Sequence, residues 1–162
     1  MGIQLTRYLV ETATGAFTGS IYHDDGIYQA GHLGELRDYK DGSTLVQKTH
    51  HSVVLPGQSW TFSLTQRMKH IQQFGGRGVL VIRNPYKAFI SHWNYFKTGS
   101  QTKSAALESL DSEEFKDFVI DQADKWLEVN QDWLRLSTSC HVIFYEVTQV
   151  VIHRANCKAI SV

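Results

Sequence analysis

Across 162 residues, sixteen basic and sixteen acidic side chains cancel, which excludes the broad positive field of a general nucleic-acid binder and leaves a single bound nucleotide open. No apolar run approaches the roughly 20 residues of a membrane span, so no membrane segment is expected in these residues. Cys140 and Cys157 are too few and too far apart for a metal knuckle or a disulfide framework and read as free thiols, and the eight histidines show no metal-ligand spacing.

The length suits one compact domain with a real core. Residues 5–14 carry Leu5, Tyr8, Leu9 and Ala13 at helical spacing and stop at Gly15, which accepts the left-handed conformation of a helix C-terminus. Residues 15–43, rich in Gly, Asp and Tyr with an Asp25-Gly26 turn signal, read as loops and short pieces. Thr44-Leu45-Val46-Gln47-Lys48 predicts a short strand, and Thr49-His50-His51-Ser52 runs past its end, where α/β folds place ligands. Residues 62–74 predict a helix with Leu64, Met68, Ile71 and Phe74 inward, closed by Gly75-Gly76. The apolar, β-branched run 78–82 is the kind of strand a parallel sheet buries on both faces. Asn84 is the natural cap of the helix that follows, with Pro85 at its first position. In that helix Tyr86, Phe89, Ile90 and Trp93 are expected to face the core, leaving Ser91 on a flank with Lys87 and Asn94. Asp111 and Glu114 have capping-box spacing ahead of a long helix whose inner stripe is Phe115, Phe118, Val119, Ala123, Trp126, Leu127 and Trp133. Residues 141–146 predict a third apolar strand. Strands alternating with helices imply an α/β fold with a central, mostly parallel sheet flanked by helices.

In a parallel sheet the carboxyl ends of the strands share one edge, which gathers Lys48 and His50 from one strand and Arg83 with Ser91 from another. Taken alone, Arg83-Asn84-Pro85 reads first as an ordinary strand-to-helix junction with a surface arginine, and Lys48-Thr49-His50 as a solvated loop. Taken together they offer a guanidinium fork and a helix N-terminus for a phosphate, an ammonium to neutralise a transferring anionic group, and an imidazole to remove a proton near neutral pH. A phosphate-cradling loop ending in Gly-Lys-Ser or Gly-Lys-Thr is absent from the sequence, which argues against a P-loop kinase.

Lys48-Thr49-His50, then Arg83-Asn84-Pro85 with Ser91 eight residues beyond Arg83, then Phe144-Tyr145-Glu146, resembles the ordered signature of sulfotransferases that use 3′-phosphoadenosine 5′-phosphosulfate. More narrowly, Arg7-Tyr8-Leu9-Val10-Glu11-Thr12-Ala13-Thr14-Gly15, Thr18-Gly19-Ser20-Ile21-Tyr22 and Ile82-Arg83-Asn84-Pro85-Tyr86-Lys87-Ala88 with His92-Trp93-Asn94 resemble the WSC-domain-containing sulfotransferase-like proteins. The resemblance covers residues 7–146. It implies a fold related to the P-loop NTPases and transfer of a sulfuryl group from 3′-phosphoadenosine 5′-phosphosulfate to an acceptor hydroxyl of a glycan, sialic-acid-bearing acceptors included. It implies Arg83 and Ser91 on the 3′-phosphate, His50 as general base, Lys48 beside the sulfuryl group, and Tyr145 near the adenine, a position where a core tyrosine fits as well. It further implies a Golgi membrane protein facing the lumen, although these residues hold no anchor. The family's opening strand and Gly-Thr-rich loop have no counterpart in Gly2 to Thr6, nor its later basic, Gly-rich segment after Glu146. Residues 1–162 are therefore expected to form a partial sulfotransferase domain with a divergent tail at 147–162. The alternative is a catalytically inactive remnant that binds a nucleotide, glycan or protein weakly.

Overall fold

A computed structural model describes residues 2–50, 63–100 and 102–148. His51, Ser52, Phe62, Cys157 and most of the expected tail lie outside the described residues. The chain forms two compact units, Met1–Val53 and Val54–Val162, of mixed helix and strand with small parallel sheets.

The first unit opens with α1 (Gly2–Thr14). It ends as its sequence predicts, with Gly15 at φ +69 and its N–H donating to Glu11 O at 2.9 Å. Two short strands, β1 (Gly19–Ser20) and β2 (Gln47–Lys48), pair in parallel, with Gly19 opposite Gln47 and Ser20 opposite Lys48. Between them lies α2 (Asp25–Gln29), capped by the Asp24 carboxylate, which accepts from the Ile27 N–H at 3.1 Å. Beyond it Gly34 passes so close to β1 that a Cβ there would sit 2.3 Å from the Thr18 carbonyl oxygen. Only glycine permits that approach, and it carries the next residue, Glu35, into the interior.

The second unit begins with α3 (Leu64–Gln72), started by a capping box in which Ser63 and Gln66 exchange side-chain and backbone bonds. Strand β3 (Arg77–Ile82), α4 (Pro85–Thr98), a 3₁₀ turn (Leu107–Asp111), α5 (Glu113–Leu136) and β4 (Ser139–Phe144) follow. Strands β3 and β4 are parallel and paired along their length, from Arg77 opposite Ser139 to Ile82 opposite Phe144. Ile71, Leu80 and Trp133 form the core beneath them, with half-buried Cys140 packed against it as a free thiol. The Trp133 indole packs close against Gly78, where a Cβ would meet the ring at 2.6 Å. Fully burying each large apolar side chain is worth about 1.5–3 kcal/mol.

The expected central sheet is instead two separate parallel pairs, one in each unit. The partner of β2 is the dipeptide Gly19–Ser20, too short to leave an alternating pattern in sequence. The third strand stops at Phe144, and Tyr145 and Glu146 already belong to a helical turn. The cap of α5 is Ser112, whose hydroxyl accepts from the Phe115 N–H at 3.1 Å, because the 3₁₀ turn has absorbed Asp111. In α4 only Phe89 and Trp93 of the expected stripe are buried; Tyr86 is 77% and Ile90 42% exposed. The helix is covered along one side, where Trp93 packs against Phe115 and Phe118 of α5 and its indole N–H donates to Ser109 Oγ at 3.0 Å. No described helix is long and apolar enough to cross a membrane.

Candidate functional site

Lys48 and His50 belong to the first unit, and Arg83, Ser91 and Tyr145 to the second. Lys48 ends β2 and is buried, its ammonium 3.3 Å from Glu35 Oε1 and 5.6 Å from the centre of the Tyr22 ring. Burial holds its pKa below the ordinary lysine range, a pull that the Glu35 carboxylate opposes. His50 lies just past the strand, exposed, with its imidazole stacked on the Tyr22 ring at a centroid distance of 5.4 Å. Its backbone N–H donates to the Tyr22 hydroxyl at 2.6 Å. Burial pushes the Tyr22 phenol upward against the smaller effect of that amide. Tyr22 is thus the shared wall between the ammonium and the imidazole, a role its lone position between two turns does not announce in sequence.

Beneath this pair lies a charged interior. Glu35, fully buried, accepts from Arg7 Nη1 and ion-pairs with Lys48. Burial works against its ionisation, but the bonds from Arg7 and Ser20 and the Lys48 charge prevail and hold its pKa below the ordinary glutamate value. Arg7 is anchored in turn on Thr18, to Oγ1 at 2.7 Å and to the carbonyl oxygen at 3.0 Å, and Thr18 donates back through its N–H to Glu11 at 2.9 Å. Arg7, Thr18, Ser20 and Tyr22 entered the sequence reading only through family likeness, and Glu35 not at all. The available signal was the Gly34-Glu35 pair inside a polar loop.

In the second unit Arg83 and Tyr145 leave adjacent parallel strands one residue beyond the last register pair, Ile82 and Phe144. The guanidinium lies 5.0 Å from the centre of the Tyr145 ring, and Tyr145 is buried. Arg83 Nε is also buried and has no hydrogen-bond partner among the described residues, a donor that an anion would satisfy. Asn84 caps α4 as expected, accepting from the Lys87 N–H at 3.3 Å. The Asn84 N–H donates to Glu146 Oε1 at 3.0 Å, and this amide holds the Glu146 carboxyl below its ordinary range. With Pro85 carrying no N–H, Lys87 capped and Ala88 bonded to Asn84 O, the Tyr86 amide is the one first-turn donor without a partner among the described residues. The cradle expected from the sequence is therefore narrower than a full helix N-terminus. Ser91 is half-buried just under two turns into α4 and makes no side-chain hydrogen bond among the described residues.

The chain is similar to proteins named WSCD family members. It is 31% identical over 144 residues to one from Drosophila pseudoobscura pseudoobscura, a match covering 86% of this chain and 40% of the relative. A member from Drosophila melanogaster is 30% identical over 145 residues, and one from Aedes aegypti 26% over 144, with the same coverage. The chain spans about 40% of the length of the curated relatives it matches. No protein-family profile matches it. No solved structure matches it either.

Proposed function

We propose that the chain is of sulfotransferase type and moves a sulfuryl group from 3′-phosphoadenosine 5′-phosphosulfate to a glycan hydroxyl, with sialic-acid-bearing acceptors as the leading class and the Golgi lumen as the compartment. The observation that carries this reading is the buried, unpartnered Nε of Arg83 against the face of Tyr145 at the carboxyl ends of two parallel strands. A guanidinium beside an aromatic face suits a nucleotide carrying a phosphate. Likeness to WSC-domain proteins gives the same direction.

In this proposal Arg83 and Ser91 bind the 3′-phosphate, the Tyr86 amide adds one donor, and Tyr145 faces the base. When bound, the donor supplies an activated sulfuryl group whose bond to phosphate oxygen breaks as the acceptor oxygen bonds to sulfur. His50 takes the acceptor's hydroxyl proton, and Lys48 holds the negative charge that gathers on the transferring group and the departing phosphate. The stacked Tyr22 ring restricts the rotation of the imidazole.

Titration of adenosine 3′,5′-bisphosphate into the wild type, Arg83→Ala and His50→Ala, with turnover of radiolabelled donor followed in parallel, tests the assignment. Arg83→Ala loses nucleotide binding. His50→Ala binds as the wild type does but turns over about 10²–10⁴ more slowly, the usual worth of a general base. A second reading, a non-catalytic module that binds nucleotide weakly, draws on the Asn84 amide already taken by Glu146. Equal, weak binding by all three proteins would favour it and overturn the enzyme.

A further inference from the structure

Glu35 has no part in the reaction proposed above, yet the first unit is built around it. It is 0% exposed, and its two oxygens are divided between two cations, Oε2 receiving Arg7 Nη1 and Oε1 facing Lys48 Nζ at 3.3 Å. The Asp24 N–H donates to Oε1 as well, at 3.4 Å. Because Arg7 is itself pinned to Thr18 by two further bonds, the carboxylate cannot turn away from the ammonium without breaking a chain of buried contacts.

We infer that Glu35 is a positioning residue for Lys48: its carboxylate anchors one N–H of the ammonium at the carboxyl end of β2, with the Tyr22 ring as the second wall, and leaves the remaining N–H donors for an anion. The inference rests on the role proposed for Lys48. A buried ammonium tends to shed its proton, and a neutral amine would hold no developing charge. The groups acting on Lys48 are Glu35, Arg7 from α1, Asp24 at the start of α2, and the Tyr22 ring with His50 behind it. Glu35 and Asp24 favour the charged form, whereas Arg7 and burial oppose it. Glu35 gives the largest favourable contribution, so without it the ammonium deprotonates at lower pH.

The experiment uses the full chain and two readouts that need no turnover. In the wild type, the Cε and Nζ resonances of Lys48 are followed by NMR as acid protonates Glu35; they are expected to move with the Glu35 carboxyl signal, at a pH below its ordinary 4.5. In Glu35→Gln, the pH profile of Lys48 acetylation, read by mass spectrometry against Lys103, is expected to slide to lower pH, with roughly tenfold more reactive amine at pH 8 for each unit of displacement. Local opening alone would raise the rate at every pH and leave the midpoint in place. Glu35→Asp, which keeps the charge but withdraws it by one methylene, is expected between the two. A Lys48 signal that stays flat through the Glu35 titration, or an unmoved acetylation midpoint, overturns the inference. If Glu35→Gln does not fold, the wild-type titration decides. Coupling observed in a chain that turns over no donor would leave the pairing standing and strike the sulfotransferase reading; turnover without coupling would strike the pairing alone.

Discussion

Among the described residues the first unit buries Arg7, Thr18, Ser20, Glu35 and Lys48, while the second buries Ile71, Leu80, Phe89, Trp93, Trp133 and Tyr145, with Asp132 as its one buried charge. The apolar interior gains free energy from area removed from water and tolerates change of detail as long as volume is kept. The polar interior gains little from burial and depends on each partner being present, because desolvated charges are stabilised only by one another. What it provides is direction: an ammonium and an imidazole held at the end of a two-residue strand that could not orient them by itself.

The largest expected effects break this contrast directly. Arg7→Met leaves Lys48 as the one cation on Glu35 and takes the Arg7 donor from the Thr18 carbonyl oxygen, and should cost about 3–5 kcal/mol, the usual cost of halving a buried ion pair. Replacing Arg7, Glu35 and Lys48 together with Met, Leu and Met should recover most of that loss, whereas nothing of the kind rescues Trp93→Ala, which should cost about 3–5 kcal/mol by leaving a cavity. Denaturant unfolding of the four proteins checks both; a triple variant as unstable as Arg7→Met would mean that the polar interior is held by shape and not by charge balance.

A smaller effect sharpens the comparison through pH. The Glu35 carboxyl titrates lower in the folded protein than its ordinary 4.5, so as acid is added the unfolded chain takes up the proton first. Its stabilising contribution is therefore complete above about pH 4.5 and is lost as the pH falls from there through the folded value. Urea midpoints between pH 7 and pH 3 should fall more steeply for the wild type than for Glu35→Gln, and parallel curves would remove Glu35 from the account. The smallest effect is local to the second unit. Asn84→Ala removes the cap of α4 and should cost about 1 kcal/mol, with a loss of helix signal in circular dichroism. An unchanged melting temperature would show that the Glu146 bond to the Asn84 amide already secures that junction.

Features governed by neighbours within a turn were legible in the residues themselves. Gly15 ending α1, Asn84 and Pro85 starting α4, and the apolar run of β3 all lie where spacing and capping chemistry put them. The cap of α5 moved by one residue because Asp111 and Ser112 both offer an oxygen, and the preceding 3₁₀ turn chose between them. Lys48, His50 and Arg83 were each placed at or just past a strand end, and each is found there, whereas Tyr145, expected inside the third strand, opens the helical turn that follows it. Their immediate partners were out of reach of such reading: Glu35 stands 28 residues from Arg7 and 13 from Lys48, and Tyr22 stands 28 from His50.

The chain by itself therefore determined the local grammar of its helices, because periodicity, caps and turns act over a few bonds. Which strand pairs with which, and which carboxylate lies beneath Lys48, was decided by tertiary structure. Those choices depend on backbone close approach at Gly34 and on the mutual desolvation of charges distant in sequence, and neither leaves a periodic trace.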